Sequence, residues 1–175
     1  MGSRITAIIL SLVGAIGPAF AESNTGSTAK AELPVSDSRY QCQDDVVWLR
    51  GPFGVARFGA DVADTQSERA QGLMHVAQMP ASRGMLFVYE YPQQVTFWMK
   101  NTLIPLDMIF ADENGRVVKV HSNAIPGDLT AIPGQGKVQY VFEINGGLAA
   151  QLGIKPGAQL RHPAIFSPIW PCGAN

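Results

Sequence analysis

The chain has 175 residues, of which 13 are basic and 14 acidic; 15% are charged and 46% hydrophobic. That balance excludes the basic stripe of a nucleic-acid binder and the polybasic patch of a membrane-surface protein. It describes a chain with enough apolar material to build a core.

The first segment is expected to lie outside the fold. Arg4 gives a short positive head, ITAIILSLVGAIG follows without a charge, and Ala19-Phe20-Ala21 closes the run after Pro18. This is the layout of a secretory signal, residues 1–21, cleaved after Ala21. A membrane-spanning helix needs roughly 20 mostly apolar residues. This run is shorter and is interrupted by Gly14, Gly17 and Pro18, so no membrane span is expected after cleavage. Cleavage removes only Arg4 among the charges, leaving 12 basic against 14 acidic residues, a net charge of −2. The M-G-S-R-I-T opening also matches a myristoylation pattern, which an export signal directly behind it makes accidental. The expected location is periplasmic or extracellular.

Residues 22–39, ESNTGSTAKAELPVSDSR, contain no aromatic residue and read as a flexible spacer. Residues 40–175 have the length of one ordinary domain. Cys42 and Cys172 stand near its two ends. Export places them where disulfides persist, and two cysteines allow one pairing. A redox pair is the alternative, without the C-x-x-C spacing it commonly uses.

Val46 to Leu49 and Phe53 to Val62 read as strands around a Gly51-Pro52 turn. Thr65 to Glu68 forms a capping box that opens a short helix, weakened or ended at Gly72. Gly84 to Tyr91 and Val95 to Lys100 read as strands broken at Pro92. Leu106 to Ala111 and Arg116 to His121 flank Asn114-Gly115, a strong hairpin signal. A two-residue turn there sets Glu113 opposite Arg116 and Met108 opposite His121. Residues 125–136, IPGDLTAIPGQG, carry too much Gly and Pro for a regular element and read as a lid or a disordered excursion. Val138 to Ile144 is a strand, and Gly147 to Leu152 a short helix closed by Gly153. Lys155 to Ala158 is a type II turn leading to a last strand, Gln159 to His162. The expected fold is α+β and β-dominated, a mostly antiparallel sheet curled into a small barrel-like domain with two short helices.

TFWMKNTLIPLDMIF, Thr96 to Phe110, sets a lysine, an asparagine and an aspartate inside an apolar run. A buried charge costs several kcal/mol unless it is paired or kept wet. Strand alternation turns Phe97 and Met99 to the core and Trp98 and Lys100 to the other face. Trp98 beside Lys100 then offers a stacking platform with a cation, suited to a sugar or a small anion. Lys100, Asn101 and Asp107 either satisfy one another and the turn backbone, or join Trp98 around a ligand.

No G-x-S-x-G or H-E-x-x-H pattern is present, and Gly136-Lys137 lacks the spacing and hydroxyl of a phosphate loop. His75, His121 and His162 show no ligand spacing. Met74, Met79, Met85, Met99 and Met108, with His75 and His121 to join them, raise a soft-metal reading, but the apolar surroundings of Met74, Met85, Met99 and Met108 favour packing. Neither a metal nor a cofactor is expected.

Four segments occur in order: ERAQGLMH (Glu68 to His75), GMLFVY (Gly84 to Tyr89), FWMKNTLIPLDMIFADENGRV (Phe97 to Val117), and YVFEINGG with LGIKPG (Tyr140 to Gly157). Together they resemble domain-of-unknown-function family 192, an uncharacterised bacterial and archaeal family, from about Val55 to Arg161. The resemblance implies a small, often exported, compact β-rich protein and no particular activity. The family's G-L-M segment is usually followed by an arginine within a couple of positions; here Val76 and Ala77 follow His75. The function these residues point to is a cell-envelope binding or accessory domain, monomeric, with a pocket at the FWMKNT turn for a small polar ligand or glycan. An envelope-acting hydrolase or lyase using Asp107 and Glu90, and a structural interaction domain, are the alternatives.

Overall fold

The structure, a computed structural model, describes residues 41–173. The leader and spacer expected at residues 1–39 lie outside the described residues. All described residues belong to one compact unit, Val35–Asn175.

The described residues form nine strands and two short helices. They are β1 (Val46–Gly51), β2 (Gly54–Ala63), α1 (Gln66–Gln71), β3 (Arg83–Gln93), β4 (Thr96–Phe97), β5 (Leu106–Ala111), β6 (Val117–Ala124), β7 (Ile132–Pro133), β8 (Val138–Asn145), α2 (Leu148–Leu152) and β9 (Gln159–Arg161). Seven strands form one sheet in the order β6-β5-β8-β3-β2-β1-β9, and β4 pairs with β7 apart from it. All neighbours are antiparallel except β2 and β3, which run parallel across the α1 connection. The sheet curls into a half-barrel whose two ends touch. The first residues after the β5–β6 turn bond to β9, with Leu160 N–H donating to Gly115 O at 2.8 Å and Val117 N–H to Ala158 O at 2.8 Å. This is the β-dominated α+β domain expected from the sequence.

Apolar residues cover both faces of the sheet, which explains why β5 and β8 read as nearly continuous buried runs. Tyr140, Phe142 and Ile144 of β8 join Leu49, Phe58, Leu86, Ile109 and Leu160 in the inner cluster. Val138 and Val141 of the same strand join Phe87, Met99, Leu106, Met108 and Phe110 in a second cluster on the outer face. Gly84 allows β3 to approach β8 closely: a Cβ there would lie 2.4 Å from the Glu143 carbonyl oxygen.

The capping box on α1 is present. Glu68 N–H donates to Thr65 Oγ1 at 3.2 Å, and the Glu68 carboxylate accepts from Thr65 N–H at 3.1 Å. The type II turn at Lys155–Ala158 is present too, with Ala158 N–H donating to Lys155 O and Gly157 at φ 94°. Cys42 and Cys172 are bonded, their Cα atoms 5.6 Å apart. Among the described residues no helix is long and apolar enough to cross a membrane.

Three expectations are corrected. The β5–β6 turn is not a two-residue loop. Asp112 N–H donates to Arg116 O, Gly115 N–H donates to Asp112 O, and Gly115 adopts φ 75°. Glu113 therefore does not face Arg116, yet a register shift between Phe110 and Ala111 restores Met108 opposite His121. The expected strand Val95 to Lys100 shortens to Thr96–Phe97, because the backbone beyond it bonds to a loop rather than to the sheet. That loop is residues 125–136, and it is ordered against its neighbours. Met99 N–H donates to Asp128 O at 2.9 Å, Gly127 N–H donates to Met99 O at 3.0 Å, and β7 pairs with β4.

Candidate functional site

Two family-like segments clasp one another on the outer face of the sheet. Met74 and Thr102 form an isolated antiparallel bridge, and His75 N–H donates to Asn101 O at 2.8 Å. His75 (φ 64°) and Asn101 (φ 56°) both take the left-handed conformation. That conformation costs most side chains roughly 1–2 kcal/mol, and asparagine less. The cross-bonded backbone over-determines this geometry, as is usual where strain persists at a site.

Between the clasp, α1 and the strands beneath lies a cleft of about 210 Å³. Arg69 from α1, Met74 from the following turn, Tyr89 from β3, Trp98, Lys100 and Thr102 from the FWMKNT segment, and Glu143 from β8 are among the residues that line it. A wider groove of about 650 Å³ beside the disulfide includes Pro163, Ile165, Phe166, Pro168 and Pro171 in its lining, with Asp44 as its one ionisable side chain. The smaller cleft holds the chemistry.

Glu143 sits on its floor. The residue is 4% exposed, and its carboxyl makes no hydrogen bond and no ion pair among the described residues. Its strand partners on either side are Met85 and Met108, which offer no charge. Burial alone pushes the carboxyl up to about 8, so it carries a proton at neutral pH. Burial likewise raises the Tyr89 phenol, partly opposed by the Arg69 charge.

Arg69 is committed elsewhere. Its guanidinium donates to Val88 O at 2.8 Å, to Asp64 O, and to Glu90 Oε1 at 2.9 Å, while lying 5.0 Å from the Tyr89 ring centroid. Lys100 makes no ion pair among the described residues, and its Nζ stands 5.1 Å from the Trp98 ring centroid. Trp98 itself is 50% exposed. The expected alternation holds here, with Met99 fully buried and Trp98 and Lys100 facing out.

The structure brings Trp98 and Lys100 to the cleft but not Asp107. Asp107 is fully buried beside α2. Asn123 N–H and Gly147 N–H donate to its Oδ1 at 2.6 and 2.8 Å, and Ala149 N–H donates to Oδ2 at 2.6 Å. Gly147 at the helix start has no side chain to cap it, so Asp107 supplies the missing acceptor from another strand. Gly146 N–H adds a bond to Pro105 O at 2.8 Å, locking the PLD and NGG segments together. Lys100 and Asp107 therefore do not pair. Asn101 lies at the rim and reaches Met74 Sδ at 3.9 Å rather than lining the cleft.

An acid–base pair of Asp107 and Glu90 is likewise not assembled. Neither lines the cleft. Glu90 is exposed, its carboxyl held low by hydrogen bonds from backbone and from Arg69. Among the histidines, His162 is buried and bonded to Asp44 O and Ala164 N–H. Met99 and Met108 pack in the outer cluster, with Met79 and Met85 against it.

Sequence reasoning missed Glu143, Arg69 and Tyr89. The signal for Glu143 was present: one carboxyl in the apolar run VQYVFEIN, the same anomaly that drew attention to Lys100 and Asp107.

A curled β-sheet carrying a small clasped cleft, with a lone buried carboxyl at its floor, is the class of domain this geometry defines. The chain belongs to the DUF192 family, described as Uncharacterized ACR, whose model matches residues 50–162. It is similar to a protein of unknown function from Novosphingobium aromaticivorans DSM 12444, at 40% identity and a TM-score of 0.66, covering 79% of this chain and 99% of that one. It is also similar to a protein from Sinorhizobium meliloti 1021 described as a putative transcription regulator. There the identity is 36% and the TM-score 0.65, with 69% of this chain and 95% of that one covered. No curated protein matches.

Proposed function

We propose that this is an exported cell-envelope binding domain that holds a small polar ligand in the cleft under the FWMKNT turn. The observation that carries this reading is the Glu143 carboxyl, 4% exposed, on the floor of an open cleft and without a hydrogen-bond partner among the described residues. Buried polar groups are satisfied by protein almost everywhere in folded proteins, and a carboxyl left to solvent alone at the bottom of a concavity is a reason to look for a ligand that satisfies it. Half-exposed Trp98 gives the ligand an apolar wall at the mouth.

The organisation that goes with this reading is a signal at 1–21, a spacer at 22–39 and a single domain at 40–175, acting as a monomer. The disulfide and the absence of a spanning helix among the described residues are consistent with export. The regulator description of the Sinorhizobium relative is not carried over, because 13 basic against 14 acidic residues give no overall positive charge of the kind that favours a nucleic-acid backbone.

The test uses exported protein, whose mass beginning at Glu22 checks the cleavage. Thermal shift is measured against monosaccharides, sugar acids, amino sugars and small anions. The expected result is a ligand that raises the Tm of the wild type and not of Trp98→Ala. A panel without any shift, or a shift equal in the two proteins, would remove the cleft from consideration.

A further inference from the structure

We propose that the cleft takes a small carboxylic acid, the part held inside no larger than one six-membered ring with its substituents, whose carboxylate accepts a hydrogen bond from the Glu143 carboxyl while facing the Lys100 ammonium. This rests on the cleft being a ligand site, as argued above, and goes on to assign the ligand's charge and size.

Size follows from volume. At ~30 Å³ per liquid water, about 210 Å³ is the space of about seven waters. Drug-sized ligands need roughly 300 Å³ or more, so the part of the occupant that sits inside the cleft is a single ring or smaller.

Charge follows from the lining. The titratable or charged groups that share the cleft with Glu143 are Arg69 from α1, Tyr89 from β3 and Lys100 after β4; β5 sets Met108 opposite Glu143 and offers none. Arg69 is balanced by Glu90. Glu143 has only burial acting on it and holds its proton at neutral pH. One uncompensated positive charge remains, on Lys100. An ammonium ligand would meet that charge and the Arg69 guanidinium, and both already lie over the Trp98 and Tyr89 rings that would otherwise attract a cation. Ionising Glu143 to receive an ammonium would also require desolvating two charges. A neutral polyol would leave Lys100 without a role. A carboxylate uses both features: it accepts a charge-assisted hydrogen bond from the Glu143 carboxyl, and its charge is matched by Lys100.

The binding event is therefore tied to one proton. Below about pH 8 Glu143 is ready to donate; above it the ligand and the floor are both anionic, and affinity falls by tenfold per pH unit.

Two matched sets test this by calorimetry at pH 6.5: glucuronate, glucose and glucosamine, then benzoate, benzyl alcohol and benzylamine. Within each set the ring skeleton is shared and one substituent is anionic, neutral or cationic. In at least one set the carboxylate is expected to bind tenfold or more tighter than its neutral and cationic partners. Its affinity should then drop about tenfold between pH 8.5 and 9.5. Glu143→Gln keeps a donor but cannot titrate, so it should still bind the carboxylate with a flat profile over the same range.

Tighter binding of the alcohol, sugar or amine overturns the inference, as does a carboxylate affinity that is flat in the wild type. So does an equal fall in Glu143→Gln. If a neutral or cationic probe binds and Trp98→Ala abolishes it, the cleft remains a ligand site and only the assigned charge is wrong. If none of the six binds, the acid assignment is overturned, and the wider thermal-shift panel decides the cleft itself.

Discussion

Asp107 and Glu143 occupy neighbouring strands, face opposite sides of the sheet, and are both removed from water. Asp107 pairs in register with Ile144 on the inner side and accepts three backbone N–H groups. Glu143 pairs with Met108 on the outer side and accepts none among the described residues. Glu143 therefore links stability to pH. Its folded value of about 8 lies above the ordinary 4.5. Below about pH 4.5 both the folded and unfolded forms hold the proton and the contribution is full. As pH rises from there, only the folded form holds it, unfolding releases it, and stability declines until the folded group titrates near 8. At about 1.4 kcal/mol per unit the total is of order a few kcal/mol. Glu143→Gln should lose that decline. Its Tm should fall less than that of the wild type between pH 5 and 8, and exceed it at pH 8 by several degrees. Melting curves across this range check it, and parallel profiles in the two proteins would mean that the floor of the cleft is wet.

At the level of elements, α2 depends on a strand. It is five residues long and begins at a glycine without a side-chain cap, too short to persist without tertiary support. Asp107→Ala should expose the amides of Gly147 and Ala149 to exchange and destabilise the domain by about 3 kcal/mol or more, because charge-assisted hydrogen bonds are lost and buried donors are left bare. Lys100→Ala should barely move the Tm, and the double variant should be additive, since the two side chains share no contact. Hydrogen exchange and a four-member thermal cycle measure both. The contrast also shows which parts of the fold were legible. β1, β2, β3, β5, β6 and β8 could be read because alternation, Gly-Pro and Asn-Gly are local signals, and so could the Thr65–Glu68 cap. The parallel pairing of β2 with β3 was not, because strand adjacency is set by contacts far apart in sequence. FWMK looked like a strand because its side chains alternate, yet its backbone is satisfied by Asp128 and Gly127. The same bonds order a loop that its Gly and Pro content made look free. Asp107 was rightly marked as anomalous, but its partners lie 16 to 42 residues away. Glu143 was hidden by its neighbours, since a strand of buried residues reads as core.

Across the whole molecule, the disulfide and the contact between β9 and the β5–β6 turn close the sheet from two directions. In the chain-entropy account, a bond between residues 130 positions apart contributes about 4–5 kcal/mol, less any strain. The Cys42→Ala, Cys172→Ala double variant should therefore melt well below the oxidised protein, and reductant should lower the wild type towards it. Calorimetry with and without reductant checks this; identical transitions would mean that the sheet contacts alone hold the ends.

The same bond decides how the protein meets force. A pull on the chain outside Cys42 and Cys172 travels through two sulfur atoms whose residues have Cα atoms 5.6 Å apart. It does not pass through the hydrogen bonds of the sheet. An extended chain spans at most ~3.3–3.6 Å per residue, so the bridged loop withholds roughly 430–470 Å of contour from any tether. Oxidised, the domain is a short inextensible link. Reduced, it becomes a long compliant one under the same load.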